Sequence, residues 1–97
     1  MVHSLILVPK SIDAQTLDRF FSSMDLLKQA HGVRSLKQSE GDIMSPMGPP
    51  PYSKVIEVIF DSHEDVFAFA QSAEAQGGKG DLKSLGGLIL IYDVSDM

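Results

Sequence analysis

Apolar residues along the chain fall into four short runs that are typical of β-strands. Three of the runs are rich in Leu, Ile, Val or aromatic residues, a composition that favours strands over helices. The second run has only Val33 and Leu36 as large apolar residues, so we expect it to be an exposed or edge strand. The four predicted strands are 2–10, 33–39, 52–60 and 87–94.

A first amphipathic helix is predicted over residues 14–30. Its apolar positions recur at steps of three and four residues, with polar residues between them, which is the period of a helix with one buried face. Ser11 or Asp13 could cap its start, and Gly32 follows its end, in agreement with helix-terminus preferences. The apolar positions are Leu17, Phe20, Phe21, Met24 and Leu27.

A second helix is predicted to begin directly after the third strand. Asp61 and Ser62 are good capping residues, and Ser62 with Asp65 resembles a capping box that has Asp in place of Glu or Gln. Gly77 and Gly78 mark its end. Its apolar stripe consists of Val66, Phe69, Ala70 and Ala73.

The order strand, helix, strand, strand, helix, strand is that of the ferredoxin-like βαββαβ motif. It predicts an α+β fold, in which a four-stranded antiparallel sheet carries both helices on one face. Between the second and third strands, residues 41–51 contain two glycines and four prolines, so this segment is predicted to be a loop. Residues 81–85 form a short connection before the last strand.

Three of the strands are apolar on both faces, whereas a sheet with helices on one side should alternate apolar and polar residues. These strands contain the runs 5–8, 55–60 and 88–92. A single copy would therefore leave a continuous apolar patch uncovered. Because the sequence contains no third layer, we expect the same face of a second copy to cover the patch, which predicts a homodimer that pairs through its sheet faces.

Composition and charge narrow the class of protein. Ninety-seven residues allow one domain, here 1–97. The net charge of −5 provides no positive field for phosphates, so we expect no nucleic-acid partner. No apolar run reaches the length of a signal peptide or a spanning helix, which predicts no membrane association. The absence of cysteine is typical of a cytoplasmic protein, and we expect a soluble one.

Metal and cofactor sites find no support in the spacing of the residues. His3, His31 and His63 lie far apart and match no ligand motif, so we expect no metal and treat the last two as surface residues. The glycines of the segment 77–80 lack the spacing of a phosphate-binding loop. We therefore predict no cofactor.

Glu57 is the most informative charged residue, because it lies in the middle of the most apolar strand. Its alternation places it opposite Ile56, Val58 and Phe60, which we assign to the helix-covered face. Glu57 is then a candidate general acid or base beside an enclosed space. An ion pair between subunits and a solvated edge position are the alternatives.

Two aromatic residues complete the candidates for a ligand site. Tyr92 combines a ring that can pack with a hydroxyl that can bind a ligand or the partner chain. In the pair Phe20 and Phe21, one ring can face the sheet while the next lies at its edge, so Phe21 is a candidate ligand-lining residue.

Several segments resemble the EthD family, which is associated with ethyl tert-butyl ether degradation. They are 18–21 (DRFF), 55–62 (VIEVIFDS) and Ala73 with Glu74. The resemblance covers nearly the whole chain, and it implies a dimeric α+β barrel, a fold that muconolactone isomerases and antibiotic-biosynthesis monooxygenases also use. It matches Glu57 to the glutamate of the family's third strand.

The chain departs from the family pattern in one place. The family often has a histidine one turn after the aromatic pair, which would fall near Met24 and Asp25, and this sequence has none there. Asp25 is the residue that could substitute for it, although a helical Asp on the surface is the commoner case.

We therefore expect a small dimeric barrel that binds a small, apolar organic molecule between sheet and helices, in the catabolism of xenobiotic, aromatic or ether compounds. Glu57, Tyr92, Phe21 and Asp25 are the predicted ligand-binding residues. If the protein is an enzyme, we expect cofactor-free isomerisation or oxygenation, with Glu57 abstracting a proton. The alternative is a non-catalytic accessory or interaction protein of a degradation pathway, with the Pro-rich loop as its contact surface.

Overall fold

The strands and helices follow the predicted order, strand, helix, strand, strand, helix, strand. The computed structural model describes residues 1–10, 13–71, 80, 82–83 and 86–97. Within them, the third strand has the predicted bounds, and the other strands begin or end within two residues of theirs. The elements are β1 (Val2–Pro9), α1 (Ala14–Leu27), β2 (Val33–Gln38), β3 (Tyr52–Phe60), α2 (His63–Ala70) and β4 (Leu88–Tyr92).

The four strands form one antiparallel sheet in the order β2-β3-β1-β4. Leu5 of β1 lies between Glu57 of β3 and Leu90 of β4 in the register of the ladders. Because directly opposed residues share a face and neighbours along a strand alternate, this register fixes which side chains lie together. The predicted edge position of β2 is confirmed.

Both helices contribute to a core on one face of the sheet. Phe20 and Leu27 of α1 and Val66 of α2 are at most 5% exposed. Ile56, Val58 and Phe60 of β3 are buried, which confirms the prediction that this face of the strand packs against the helices. The core consists of Val2, Ile6, Val8, Phe20, Leu27, Ile56, Val58, Phe60, Val66 and Leu82.

Asp13 caps the start of α1. Its carboxylate accepts hydrogen bonds of 2.8 Å from the backbone N–H and from the hydroxyl of Thr16, which satisfies one of the free donors of the first turn. These bonds hold the pKa of Asp13 below its ordinary value because they favour the ionised form. Of the two predicted caps, the structure uses Asp13, while Ser11 lies outside the described residues.

The first helix ends at Leu27, three residues before the predicted end. Beyond it, the N–H groups of Gln29 and Ala30 donate to carbonyls three residues earlier, Leu26 O and Leu27 O, at 3.2 Å each. The tighter bonds close the last turn, and Gly32 at φ +82° then directs the chain into β2. The helical spacing that continues to Ala30 therefore overestimates the length.

Ser62 begins α2 as predicted. Its hydroxyl oxygen accepts from the N–H of Asp65 at 3.2 Å and donates to the Asp65 carboxylate at 3.0 Å. The first bond is one half of the predicted capping box, whereas the carboxylate bonds to the hydroxyl of Ser62 rather than to its backbone N–H. The predicted stripe residue Ala73, the terminating Gly77 and Gly78, and the family-like Ala73 and Glu74 lie outside the described residues. Of the predicted connection 81–85, only Leu82 and Lys83 are described.

Gly32 approaches the side chain of Asp65 so closely that no larger residue fits. A Cβ at Gly32 would lie 2.8 Å from Cβ of Asp65 and closer still to its carboxylate. Rotation of Asp65 cannot relieve a contact with its Cβ, so the Ser62 cap must shift. Gly41 is the matched control, because its φ is also positive, at +70°, and nothing lies within 4 Å of its Cβ position.

We predict that Gly32→Ala destabilises the protein more than Gly41→Ala. The left-handed backbone costs each variant about 1 to 2 kcal/mol, and the clash with Asp65 costs Gly32→Ala about 1 to 3 kcal/mol more. Chemical denaturation of both variants measures the difference in the free energy of unfolding. Equal losses would show that Asp65 does not restrict this position.

Candidate functional site

The sheet separates the four predicted site residues into two pairs. Phe21 and Asp25 lie on α1 and line a cavity on the helix-covered face. Glu57 and Tyr92 lie on the opposite face, because they alternate with residues of the buried face and pair in register with Leu5 and His3 of β1. The four residues therefore do not surround one small ligand.

The cavity lies between α1 and the β2 side of the sheet and has a volume of about 480 Å³. Positions 18, 21, 22, 25 and 28 fall on one helical face, which forms its first wall. Residues of β2 and β3 form the second wall. The lining residues are Asp18, Phe21, Ser22, Met24, Asp25 and Lys28 on the helix, and Leu36, Lys37, Gln38 and Ile56 on the strands.

Phe20 and Phe21 divide their roles in the way that their spacing predicts. Phe20 is 2% exposed and belongs to the core, whereas Phe21 is half-buried and lines the cavity. The two rings meet edge to face, with centroids 5.8 Å apart, a favourable geometry for aromatic pairs. The core ring therefore fixes the ring at the cavity wall.

Lys54 extends over the ring of Phe21. Its Nζ lies 5.4 Å from the ring centroid and donates a hydrogen bond of 3.1 Å to Oε1 of Gln38. Lys54 pairs across the ladder with buried Val8, so its side chain is on the helix-covered face. A cation held on an aromatic face in this way is attracted by the ring quadrupole.

Asp25 is a surface residue at the helix wall. Its carboxylate lies 3.4 Å from Nζ of Lys28, and the two side chains are 75% and 66% exposed. An ion pair that is this open to water contributes little stability.

The sequence did not identify Asp18 and Ser22 as cavity residues. They are separated from Phe21 and Asp25 by the three- and four-residue steps of one helical face. Ser22 Oγ donates to the backbone oxygen of Asp18 at 2.9 Å.

The sheet face that points away from the helices, here called the open face, is predominantly apolar. Leu88 and Leu90 are 43% and 41% exposed on it. Glu57 is exposed and has Leu5 and Lys37 as its partners in register. The residues of the open face on β1, β3 and β4 are His3, Leu5, Leu7, Val55, Glu57, Ile59, Leu88, Leu90 and Tyr92.

Tyr92 occupies the end of the open face. Its ring stacks on that of His3, with centroids 5.7 Å apart and planes at 21°, and the two residues are direct partners in the ladder. Cross-strand aromatic pairs of this kind stabilise a sheet. The phenol is therefore positioned by β1 rather than by the cavity.

The remaining histidines are on the surface, as predicted. His31 lies 3.9 Å from an Asp65 oxygen, and Nε2 of His63 lies 3.2 Å from an Asp93 oxygen. Within residues 1–10, 13–71 and 86–97, and the few described between them, no three His, Asp or Glu side chains form a group that could hold a metal ion. Of the glycine segment 77–80, only Gly80 is described.

No helix in the described part of the chain has both the length and the apolar character needed to cross a membrane.

The strands, helices and cavity define an α+β protein with the ferredoxin-like arrangement and a pocket between its first helix and the β2 side of its sheet. No protein-family model matches the sequence, and no curated protein matches it either. Solved structures do match the fold over nearly the whole chain.

Three structures illustrate the similarity. An EthD family protein from Bacillus halodurans has a TM-score of 0.71 at 22% identity, over 98% of this chain and 99% of that one. A dimeric ferredoxin-like protein of unknown function from Jannaschia has a TM-score of 0.70 at 17% identity, over 96% and 98% of the two chains. A cofactor-independent oxygenase from Streptomyces nogalater has a TM-score of 0.68 at 8% identity, over 99% and 93%.

These similarities confirm the predicted fold class and the resemblance to an EthD family protein at the level of fold. Two further similar structures are also described as dimeric ferredoxin-like proteins of unknown function. Because one fold carries many unrelated activities, the function of this chain has to be argued from its own residues.

Proposed function

We propose that the protein binds a small, largely apolar organic molecule in the cavity between α1 and β2. The observation that carries this proposal is the cavity itself. Its volume of about 480 Å³ lies in the range of small-molecule sites, about 300 to 1,000 Å³. Phe21, Met24, Leu36 and Ile56 provide the apolar part of the walls. The other six lining residues are polar or charged and are available to orient a ligand.

We further propose that two copies pair through their open faces. The exposed leucines of the open face are costly in water, at about 25 cal/mol for each Å² of apolar surface. A second copy would remove this surface from water on both chains. The similar structures described as dimeric ferredoxin-like proteins support a dimer.

The position of Glu57 changes the form that catalysis would take. Glu57 is not among the residues that line the cavity, so proton abstraction by Glu57 would require a ligand between the two sheets. The acidic residues that do line the cavity are Asp18 and Asp25. The second candidate function is catalysis without a cofactor, and a cofactor-independent oxygenase with the same fold supports it. The non-catalytic alternative is an accessory role in ether or xenobiotic degradation.

We predict that Ser22→Trp blocks the cavity. The neutral aromatic probe 2-naphthamide should bind the natural protein and lose at least about tenfold in affinity to the variant, because the indole occupies the space between the walls. Leu26→Trp is the matched control, since Leu26 is on α1, is 40% exposed and does not line the cavity. Naphthyl fluorescence measures the binding.

Equal affinity of Ser22→Trp and Leu26→Trp for the probe would exclude this cavity as the site. The absence of any binding to the natural protein would contradict the proposed function itself.

We predict that Leu90→Glu dissociates the dimer. Leu90 lies on the open face of the edge strand β4, and pairing would bury the new carboxylate there without a partner. Native mass spectrometry should give twice 10.6 kDa for the natural protein and 10.6 kDa for the variant, with unchanged circular dichroism. Leu26→Glu, which changes a leucine of equal exposure on the helix, should remain dimeric.

A natural protein that is monomeric at micromolar concentration would overturn the pairing. Dissociation of both variants alike would show that the open face is not the interface.

A further inference from the structure

We propose that the cavity selects ligands that carry a carboxylate, with Lys54 as the residue that binds this group. The inference rests on the proposed function, because it concerns the ligand class of the same cavity. Its basis is the environment of the Lys54 ammonium and the distribution of charge over the two walls.

Lys54 is half-buried, yet its ammonium has few partners. Among the residues that the structure describes, the contacts of Nζ are Gln38 Oε1 at 3.1 Å and the ring of Phe21. An ammonium carries three donors, and Gln38 uses one of them. A cation gains more from the charge-assisted hydrogen bonds of a carboxylate than from an aromatic face.

Both contacts of Lys54 are themselves lining residues of the cavity. Phe21 is on the helix wall and Gln38 is on the strand wall. Lys54 is not itself a lining residue, and its contacts with these two place the ammonium at the edge of the cavity. A ligand that stacks on Phe21 would place a terminal carboxylate within reach of the free Lys54 donors. The amide nitrogen of Gln38 can donate a second hydrogen bond to the same group.

The charges of the two walls favour one orientation of such a ligand. Both acidic lining residues, Asp18 and Asp25, are on the helix wall together with Lys28, whereas the strand wall contributes Lys37 and no acidic residue. Asp25 is already paired with Lys28 at 3.4 Å. A ligand carboxylate is therefore expected at the Lys54 end of the strand wall, while a hydroxyl or N–H at its other end can donate to Asp18.

The overall charge of the protein would not produce a preference for carboxylate ligands. The whole chain has a net charge of −5, so its overall field repels anions. Any preference for a carboxylate over a neutral molecule of the same shape must come from local groups. This property makes a comparison of isosteric probes informative.

The test compares 2-naphthoate with 2-naphthamide, which differ by the charge of one terminal group. We expect the natural protein to bind 2-naphthoate about tenfold more tightly at low ionic strength, because the carboxylate forms charge-assisted hydrogen bonds. Lys54→Met keeps the aliphatic stem over Phe21 and should bind both probes equally.

Two further variants separate charge at this position from charge elsewhere. Lys54→Arg keeps the cation and should keep the preference. Lys83→Met removes an exposed lysine that does not line the cavity and should also keep it. Unfolding midpoints of all variants establish that each protein is folded during the titrations.

The possible results distinguish the two proposals. Equal binding of the two probes by the natural protein would overturn the carboxylate preference and leave small-molecule binding intact. A preference that survives Lys54→Met would overturn the assignment to Lys54. If neither probe binds, the proposed function fails and the inference fails with it.

Discussion

The two-faced apolar character of β1, β3 and β4 is the constraint on which the rest of the structure depends. Side chains alternate along a strand, so helices on one face can bury only half of each strand. Val8 and Val58 are buried in the core, whereas Leu5 and Val55 on the other face of the same strands stay half-buried. On the edge strand β4 both faces are accessible in a single chain, with Leu88 and Leu90 at 43% and 41% and Ile89 and Ile91 at 37% and 45%. The alternation that builds the core therefore also creates the open face, whose apolar surface is exposed to water in a single chain.

The cavity follows from how the helix layer meets the β2 side of the sheet. Phe20 and Leu27 anchor α1 in the core, and the adjacent face of the same helix lies over β2 without filling the space between them. One aromatic pair thus serves both purposes, since Phe20 stabilises the fold and Phe21 forms a wall. The cavity and the open face lie on opposite sides of the sheet, so the proposed ligand binding and the proposed pairing would use different surfaces.

Periodicity predicted the elements well because it reports on burial. The bounds of β3, the cap of α2 and the face of Glu57 all follow from alternation or capping chemistry. The periodicity of apolar residues did not predict contacts between segments that are distant in the sequence. Lys54 and Phe21 are separated along the sequence by β2 and the Pro-rich loop. They come into contact only when the sheet has formed. The end of α1 at Leu27 was also missed, because helical spacing does not reveal the tighter bonds of the last turn.

The central claim is that a second copy covers the open face. Solvent paramagnetic relaxation of leucine methyl groups tests it most directly, because it reports the exposure of each side chain in solution. Leu88 and Leu90 should be shielded from a soluble paramagnetic agent, although each is as exposed as Leu26 in a single chain, while Leu26 should relax rapidly. Equal relaxation of all three residues would contradict the account.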